Sequence, residues 1–199
     1  MSKSVFIDIL KEAAQDFTDS FVSDEIEYKK VVLFDGNPDA NIMVVARDLG
    51  KDEVKLNKPL IGQAGSLFRK ISVSLGFTPT VDFFMCNTVP LKPFNNIAFS
   101  DDLRDKFSWI LKELVYIVSP SYILCLGRES TEFFLKRPLK NMKEVVATEF
   151  SMYWGNKNIF VYPSYHPSYI LRLSRQGIKG AESNISSPLC LIRNRLNER

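Results

Sequence analysis

Three side chains that could take part in chemistry stand at or just after the ends of apolar segments: Asp48, Asn87 and His166. An aspartate can orient or deprotonate a water molecule, and an asparagine offers a donor and an acceptor side by side, which suits the edge of a nucleobase. A histidine can donate a hydrogen bond to developing negative charge. Each residue alone is weak evidence, because Asp and Asn favour turns and a lone histidine is more often structural. Their convergence at one edge of the fold is what predicts a site.

The stretch 58–65, Lys-Pro-Leu-Ile-Gly-Gln-Ala-Gly, leads into a predicted helix. Free backbone N–H groups at the start of that helix could bind a phosphate group. The stretch does not have the glycine, lysine and hydroxyl pattern of a P-loop, and its glycine spacing differs from the dinucleotide-binding fingerprint. Ser66 is not in a Gly-x-Ser-x-Gly elbow, which weakens the case for a hydrolase built on Ser, Asp and His.

Four apolar segments must position these candidates, and they predict strands at 42–46, 83–89, 122–126 and 159–162. Such segments are typical of strands buried on both faces of a parallel sheet. Helical spacing of apolar residues predicts helices at 6–17, 64–75, 100–118 and 185–196. A strand pair, 144–153 with 158–161, is predicted to turn at 154–156.

This alternation of strands and helices predicts the fold class. It is a three-layer α/β/α sandwich with a central, mainly parallel four-stranded sheet. Sheets of this kind bind ligands at the carboxyl ends of their strands. The residues that follow each strand are therefore the place to expect chemistry.

Composition limits the class of protein. The 199 residues are 45% hydrophobic and 25% charged, which predicts one globular domain over 1–199 rather than a disordered chain. The start of the chain is unlike a signal peptide, and no apolar run approaches the roughly 20 residues of a membrane span. Three widely spaced cysteines without a Cys-x-x-Cys pair favour a reducing, cytoplasmic setting. A single histidine excludes a metal site of several imidazoles, and we predict no metal site, no membrane contact and no obligate protein partner.

Positive charge is concentrated near the end of the chain. The net charge is only +3, but residues 166–199 carry six basic residues against two acidic ones: Arg172, Arg175, Lys179, Arg193, Arg195 and Arg199 against Glu182 and Glu198. A basic segment on a neutral body could face phosphate groups. A solvated helix face is an equally good interpretation of the count alone.

The chain resembles a known family in four segments. Residues 166–172, His-Pro-Ser-Tyr-Ile-Leu-Arg, resemble the His-Pro-Ser-Tyr-Leu-Leu-Arg motif of the uracil-DNA glycosylase superfamily, nearest to its family four. Residues 58–65 are similar to that family's Arg-Pro-Phe-Val-Gly-x-Ala-Gly, and 86–89 to its Thr-Asn-Val-Val. Residues 123–127 match its apolar strand that ends in Leu-Gly. The resemblance spans about 41–172, and the motif around the histidine is its most specific part.

This resemblance implies base excision, in which a uracil leaves the DNA stack and its N-glycosidic bond is hydrolysed. Asp48 would serve the attacking water, Asn87 would bind the uracil edge, and His166 would stabilise the departing base. Leu60 replaces the aromatic residue that stacks on uracil in family four, and it keeps an apolar wall. Gly50 stands where the classical family-one enzymes have a tyrosine that blocks the thymine methyl group, so that barrier is absent here.

DNA is the partner that the resemblance implies. Leu171 and Arg172 would belong to a loop that wedges into the duplex and grips its backbone. The other predicted contacts with DNA are Gly62, Gln63, Ser164 and Ser168.

The chain departs from family four at two places. In the first motif, Arg47 replaces Glu and Leu49 replaces Pro. The four cysteines that hold an iron-sulfur cluster in that family are missing, and Leu91 stands where one of them would be. We therefore expect no cofactor.

Three functional hypotheses remain open. The first is a DNA glycosylase that acts on uracil or a related deaminated base. The second is a catalytically inactive relative that binds nucleic acid or a protein partner, suggested by Arg47 and Leu60. The third is an unrelated hydrolase in which His166 works with Ser164 or Ser168.

Overall fold

Helices and strands alternate along residues 2–198, the part of the chain that this computed structural model describes. Met1 and Arg199, the ends of the predicted domain, lie outside the described residues. The helices there are α1 (Lys3–Ser20), α2 (Lys51–Leu56), α3 (Gln63–Ser74), α4 (Pro79–Asp82), α5 (Asp101–Val118), α6 (Arg128–Leu135), α7 (Pro167–Arg175) and α8 (Ser183–Asn197). The strands there are β1 (Ile26–Tyr28), β2 (Phe34–Gly36), β3 (Ile42–Ala46), β4 (Phe83–Asn87), β5 (Lys92–Pro93), β6 (Tyr122–Leu126), β7 (Phe150–Trp154) and β8 (Lys157–Ser164).

Six of these strands form the central sheet, in the order β2-β4-β3-β6-β8-β7. The four middle strands are parallel, and the two edge strands run antiparallel to their neighbours. The predicted α/β/α class is confirmed, but the number of four strands is wrong for the whole sheet. The four segments found in the sequence are the parallel centre. The apolar run 31–34 reaches the edge strand β2 only at Phe34, and an aspartate and a glycine complete the strand, so the run does not mark it.

Alternate side chains of the buried strands supply two cores. In β3, Met43 and Val45 pack in the core that contains α1 and α5, whereas Val44 packs with α3, α7 and α8 on the other face. Because each parallel strand is covered on both faces, its side chains need no polar alternation. The sheet is thereby fixed between two helical layers.

The ends of β3 and β4 are joined by backbone hydrogen bonds beyond the strands themselves. The predicted strand 83–89 ends at Asn87, and the next two amides turn back toward the end of β3. Thr88 N donates to Ala46 O at 2.9 Å, and Val89 N donates to Arg47 O at 3.2 Å. This connection fixes the backbone just before Asp48.

The predicted hairpin is present but shorter than expected. Its first strand begins at Phe150 rather than at 144, because Met142–Glu144 forms a 3-10 turn. The side chain of Asn141 starts that turn by accepting a hydrogen bond from Lys143 N at 3.0 Å. Within residues 2–198, none of the helices combines the length and the apolar character needed to cross a bilayer.

Candidate active site

A cleft of about 780 Å³ opens at the carboxyl ends of the parallel strands. It brings together most of the predicted site residues: Asp48, Gly50, Leu60, Gly62, Gln63, Asn87, His166, Ser168 and Arg172. They come from four separate segments of the chain, 48–50, 60–63, 87 and 166–172. The parallel arrangement of β3, β4, β6 and β8 explains the convergence, since it carries every strand's carboxyl end to the same edge.

Asp48 is held in an ion pair with its neighbour in the chain. Its Oδ2 lies 2.5 Å from Nε of Arg47, and its Oδ1 accepts a hydrogen bond from Nη2 at 3.3 Å. Only 9% of the Asp48 side chain is exposed, against 32% for Arg47. Burial raises the pKa of Asp48 to about 6, although the guanidinium of Arg47 opposes this rise. Asp48 therefore titrates much nearer to neutral pH than an ordinary aspartate does, but it is still mainly ionised at pH 7.

Asn87 forms the floor of the cleft and fixes the segment that carries Asp48. Its Nδ2 donates a hydrogen bond to the backbone carbonyl of Asp48 at 2.7 Å. Its Oδ1 is buried and accepts no hydrogen bond from any described residue. A buried amide oxygen without a donor is costly, so this atom favours a ligand that brings an N–H group.

His166 begins helix α7 as its N-cap. Its Nδ1 accepts a hydrogen bond from Ser168 N at 3.2 Å and lies 2.7 Å from Ser168 Oγ. Because Nδ1 is the acceptor, the ring proton of the neutral tautomer is on Nε2. Burial, with a smaller effect from the charge of Arg47, lowers the pKa of His166 to about 4. The residue is therefore a neutral N–H donor at physiological pH.

The stretch 58–65 forms one wall of the cleft in an unusual backbone conformation. Leu60 is buried, with a φ of 52°, and its carbonyl accepts a hydrogen bond from Arg69 Nε at 3.1 Å. Gly65 passes so close to this residue that a Cβ there would overlap the Leu60 carbonyl. The glycine at position 65 is thus needed for close approach of helix α3 to the wall.

Two amides just before helix α3 are already occupied by a side chain, whereas the phosphate expectation concerned the N–H groups of the helix start itself. Ile61 N and Gly62 N both donate to Oε1 of Glu53, at 3.2 and 2.8 Å. The Glu53 carboxylate therefore stands against these two groups. Its Oε2 also lies where a Cβ on Gly50 would be. The sequence of 58–65 gives no indication that Glu53, from the preceding helix α2, binds these amides.

Three of the residues predicted to contact DNA are placed differently from the expectation: Ser164, Leu171 and Arg172. The Ser164 side chain is fully buried, and its hydroxyl is bonded to the carbonyls of Asn184 and Tyr165, at 2.9 and 3.1 Å. It therefore does not face the cleft, and it is not available as the nucleophile of the hydrolase hypothesis. Leu171 and Arg172 lie in helix α7 rather than in a loop, because His166 caps the helix and Pro167 suits its first position. Leu171 is not among the residues that line the cleft, whereas Arg172 is.

The basic segment near the end of the chain divides between two roles. Arg172 lines the cleft, and Nη2 of Arg175 donates to Oε1 of Gln63 at 3.0 Å. Arg193 instead donates to Gly76 O at 2.9 Å, and Arg195 forms an ion pair with Glu149 at 2.6 Å. These last two arginines tie helix α8 to the rest of the protein. Arg199 lies outside the described residues.

Sequence reasoning missed three neighbours of the predicted residues. Glu53 holds the cleft wall, Asn96 accepts a hydrogen bond from Arg47 Nη2 at 3.3 Å, and Glu129 lines the cleft. The negative charge of Glu129 raises the pKa of Asp48. Glu129 lies three residues after the end of β6, and this position at the carboxyl edge of the sheet could have marked it as a site residue. The other two depend on tertiary contacts.

The cysteines do not fit a four-thiolate iron-sulfur cluster. The chain has three cysteines, of which Cys86 and Cys125 are buried on β4 and β6 with β3 between them. Cys190 is exposed on α8. Burial raises the pKa of both Cys86 and Cys125, which keeps them as neutral thiols. In residues 2–198 no group of three or more Cys, His, Asp or Glu side chains is arranged to hold a metal ion.

Comparison with known proteins defines the family. The model of the uracil DNA glycosylase superfamily matches residues 33–184, which include the whole six-stranded sheet and most residues of the cleft. The chain belongs to this superfamily.

The relatives support the predicted position within it. A type-4 uracil-DNA glycosylase of Thermotoga maritima is 30% identical over 142 residues, which are 71% of this chain and 72% of that protein. A type-4 uracil-DNA glycosylase of Saccharolobus solfataricus is 32% identical over 147 residues, which are 72% of this chain and 68% of that protein. The predicted resemblance, nearest to family four, is confirmed.

Proposed function

We propose that this protein is a DNA glycosylase that hydrolyses the N-glycosidic bond of uracil, or of a related deaminated base, extruded from DNA. The observation that carries the proposal is the unpartnered Oδ1 of Asn87, buried in the cleft that also holds Asp48 and His166. Uracil offers an N–H between two carbonyl groups. That N–H is the donor which the amide oxygen lacks.

The bond between N1 of the base and C1′ of the sugar breaks in this reaction, and the base leaves with the bonding electron pair. Negative charge then develops on the base and positive charge on the sugar. The Nε2–H of neutral His166 donates to a carbonyl oxygen of the departing base, and the Asp48 carboxylate stabilises the cationic sugar. A water molecule adds to C1′, and its proton passes to Asp48. The base anion then takes up a proton from solvent and Asp48 gives its proton up to solvent, so the products are the free base and an abasic site.

The neutral state of His166 suits this role. A hydrogen bond from a neutral imidazole strengthens as the base becomes an anion, so it favours the transition state over the bound base. The pKa of about 4 means that the ring remains a neutral donor at pH 7. Ser168 maintains the tautomer, because its backbone N–H occupies Nδ1.

The rim of the cleft supports DNA as the substrate. Arg172 is exposed there, and the pair of Gln63 and Arg175 lies beside it. A target base in a duplex must leave the stack to reach the cleft, so the backbone on either side needs contacts of this kind. Binding is expected to weaken as salt concentration rises, since each phosphate contact releases a counterion.

Release of base from oligonucleotides tests the proposal. End-labelled strands that contain uracil opposite G, uracil opposite A, or uracil in a single strand are incubated with enzyme and then cleaved at abasic sites with alkali. We expect cleavage by the wild-type protein and none by Asp48→Asn. If neither uracil nor a wider panel of deaminated bases is released, the proposal is wrong, and salt-sensitive DNA binding would then support the inactive relative.

One contact favours the hydrolase as a second candidate, because Ser168 Oγ lies 2.7 Å from Nδ1 of His166. The same nitrogen accepts the Ser168 amide, which is the ordinary geometry of an N-cap. No described carboxylate is hydrogen-bonded to the imidazole to complete a triad. A Ser168→Ala variant separates the two functions: a hydrolase loses turnover of small esters, whereas a glycosylase keeps measurable base release.

A further inference from the structure

Arg47 is a charged residue inside the cleft for which the proposed reaction has so far given no role. Its side chain extends from the end of β3 across Asp48 to Asn96, where Nη2 donates to the backbone carbonyl at 3.3 Å. The same guanidinium contacts both carboxylate oxygens of Asp48, at 2.5 and 3.3 Å. It therefore connects Asp48 to the loop that contains Asn96, another residue that lines the cleft.

The backbone of Arg47 is fixed independently of its side chain. Its carbonyl accepts hydrogen bonds from Thr88 Oγ1 and from Val89 N. The next carbonyl, that of Asp48, accepts from Asn87 Nδ2. Substitution of the guanidinium therefore leaves the two successive carbonyls of Arg47 and Asp48 held by three hydrogen bonds. The Arg47 side chain can therefore be replaced with little effect on the fold, so the variant reports on the role of the side chain.

The other charges that face Asp48 do not replace Arg47. Glu129 on α6 is negative and disfavours the ionised carboxylate. Lys92 on β5 is positive, but its ammonium is bonded to Glu27 at 2.6 Å. His166, at the junction of β8 and α7, is neutral. Among residues 2–198, Arg47 is the one cation within salt-bridge distance of Asp48.

We infer that Arg47 is a positioning residue that keeps the buried Asp48 ionised and holds its carboxylate in place for the attacking water. The inference rests on the proposed function of Asp48. A carboxylate with 9% of its side chain exposed has little water to stabilise its charge, so the guanidinium supplies that stabilisation. The replacement of a glutamate by Arg47 suggested an inactive relative. On this inference, the ion pair of Arg47 with Asp48 is instead part of a functional site.

The pH dependence of base release tests the inference. Single-turnover rates on a single-stranded uracil substrate are measured from pH 5 to pH 9 for the wild type, Arg47→Gln and Arg47→Lys. Loss of the positive charge lets burial raise the pKa of Asp48 further. We expect the acid limb of Arg47→Gln to move to higher pH by about one pH unit or more, with rates that recover at alkaline pH. Arg47→Lys restores the charge, so the acid limb of its pH profile should lie between those of the wild type and Arg47→Gln.

Arg104→Gln is the matched control, because this arginine forms an ion pair with Asp101 on α5 and has no contact with Asp48. Its pH profile should coincide with that of the wild type. A loss of rate in Arg47→Gln that is equal at every pH would overturn the inference, because it would indicate a structural role alone.

A second measurement separates this inference from the proposed function. The carboxyl carbon of Asp48, assigned by its absence in Asp48→Asn, is titrated by NMR in the wild type and in Arg47→Gln. A higher midpoint in Arg47→Gln supports the inference even if no base is released by either protein. An equal midpoint overturns it even if both proteins are active. If Arg47→Gln does not fold, the titration of Arg47→Lys decides, and a midpoint far above that of the wild type would count against a role of charge.

Discussion

Asn87 Nδ2 donates a hydrogen bond to the backbone carbonyl of Asp48 at 2.7 Å, so the end of β4 fixes the residue that follows β3. The register of the two strands places Ala46 beside Asn87, which leaves Asp48 within reach of the amide. The Nδ2 group of the Asn87 amide is thus occupied by the Asp48 carbonyl, and its Oδ1 remains available for a ligand. On the proposed function, this one side chain would couple recognition of the base to placement of the carboxylate.

Asp48→Asn is expected to stabilise the fold at pH 7 by about 1–3 kcal/mol while it abolishes base release. Burial raises the pKa of Asp48 in the folded state to about 6, above its ordinary value of 3.8. The native state therefore binds the proton more tightly than the unfolded chain. Stabilisation by the protonated carboxyl is complete below pH 3.8 and is lost as the pH rises through 6. Asparagine resembles that protonated form at every pH.

Urea unfolding at pH 7 and at about pH 4 measures this effect. The free energy of unfolding of Asp48→Asn should exceed that of the wild type clearly at pH 7, and this difference should shrink toward zero at the lower pH. Asp8→Asn, at an exposed position on α1, is the control and should change the free energy of unfolding by less than about 0.5 kcal/mol. Equal or lower stability of Asp48→Asn at pH 7 would show that the buried charge carries no cost.

His166 should remain unprotonated in the native protein down to about pH 5. Burial and the charge of Arg47 lower its pKa to about 4, whereas the unfolded chain takes up the proton near 6.5. Folding stability conferred by the neutral ring is therefore present above pH 6.5 and is lost as the pH falls toward 4. His166→Gln should remove this part of the pH dependence of unfolding.

NMR of the imidazole nitrogens checks this prediction directly, because His166 is the single histidine and needs no assignment. The proton should be found on Nε2, since Nδ1 accepts the amide of Ser168. A titration midpoint near 6.5, or a proton on Nδ1, would contradict both the burial and the proposed donor.

Much of this site could be predicted from the sequence because it depends on local patterns. The bounds of β3 and β6 follow from unbroken apolar runs, and Ser100 caps α5 through its hydroxyl, as its position indicates. The convergence of Asp48, Asn87 and His166 then follows from parallel strand topology. None of these inferences required knowledge of a distant contact.

The missed features are tertiary. Glu53 takes the amides of Ile61 and Gly62 from a different helix, and no pattern within 58–65 contains that information. The loop that the resemblance implies at Leu171 and Arg172 is an exception, because a local signal against it exists: a proline directly after a capping residue favours the first turn of a helix. The burial of Ser164 depends on a carbonyl of Asn184, which is 20 residues away in the chain.

Gly65→Ala is expected to destabilise the protein by about 1–3 kcal/mol. The added methyl group overlaps the backbone carbonyl of Leu60, which cannot rotate away as a side chain could. Because Leu60 lines the cleft, base release should fall as well. Ser66→Ala, one residue further along the same helix and exposed, is the matched control in urea unfolding. Unchanged stability of Gly65→Ala would mean that the wall of the cleft is not rigid.

Phe94→Ala is expected to lower base release from duplex DNA about tenfold and to change release from a single strand much less. Phe94 is 53% exposed on the loop that contains Asn96, which lines the cleft. Its backbone amide donates to Glu25 O at 2.8 Å, which fixes the backbone that carries the ring. An apolar side chain at the rim can fill the gap that an extruded base leaves in the stack, and a single strand has no such gap.

This prediction is tested by second-order rate constants for base release from uracil paired with A and from single-stranded uracil. The quantity that decides it is the ratio of the duplex rate constant to the single-strand rate constant, compared between Phe94→Ala and the wild type. Val81→Ala is the control, since Val81 is 57% exposed but belongs to α4, at the amino end of β4 and therefore away from the cleft. That variant should leave both rates unchanged. An equal loss of Phe94→Ala on both substrates would assign Phe94 to the structure of the loop, because contact with the duplex predicts a loss on paired DNA alone.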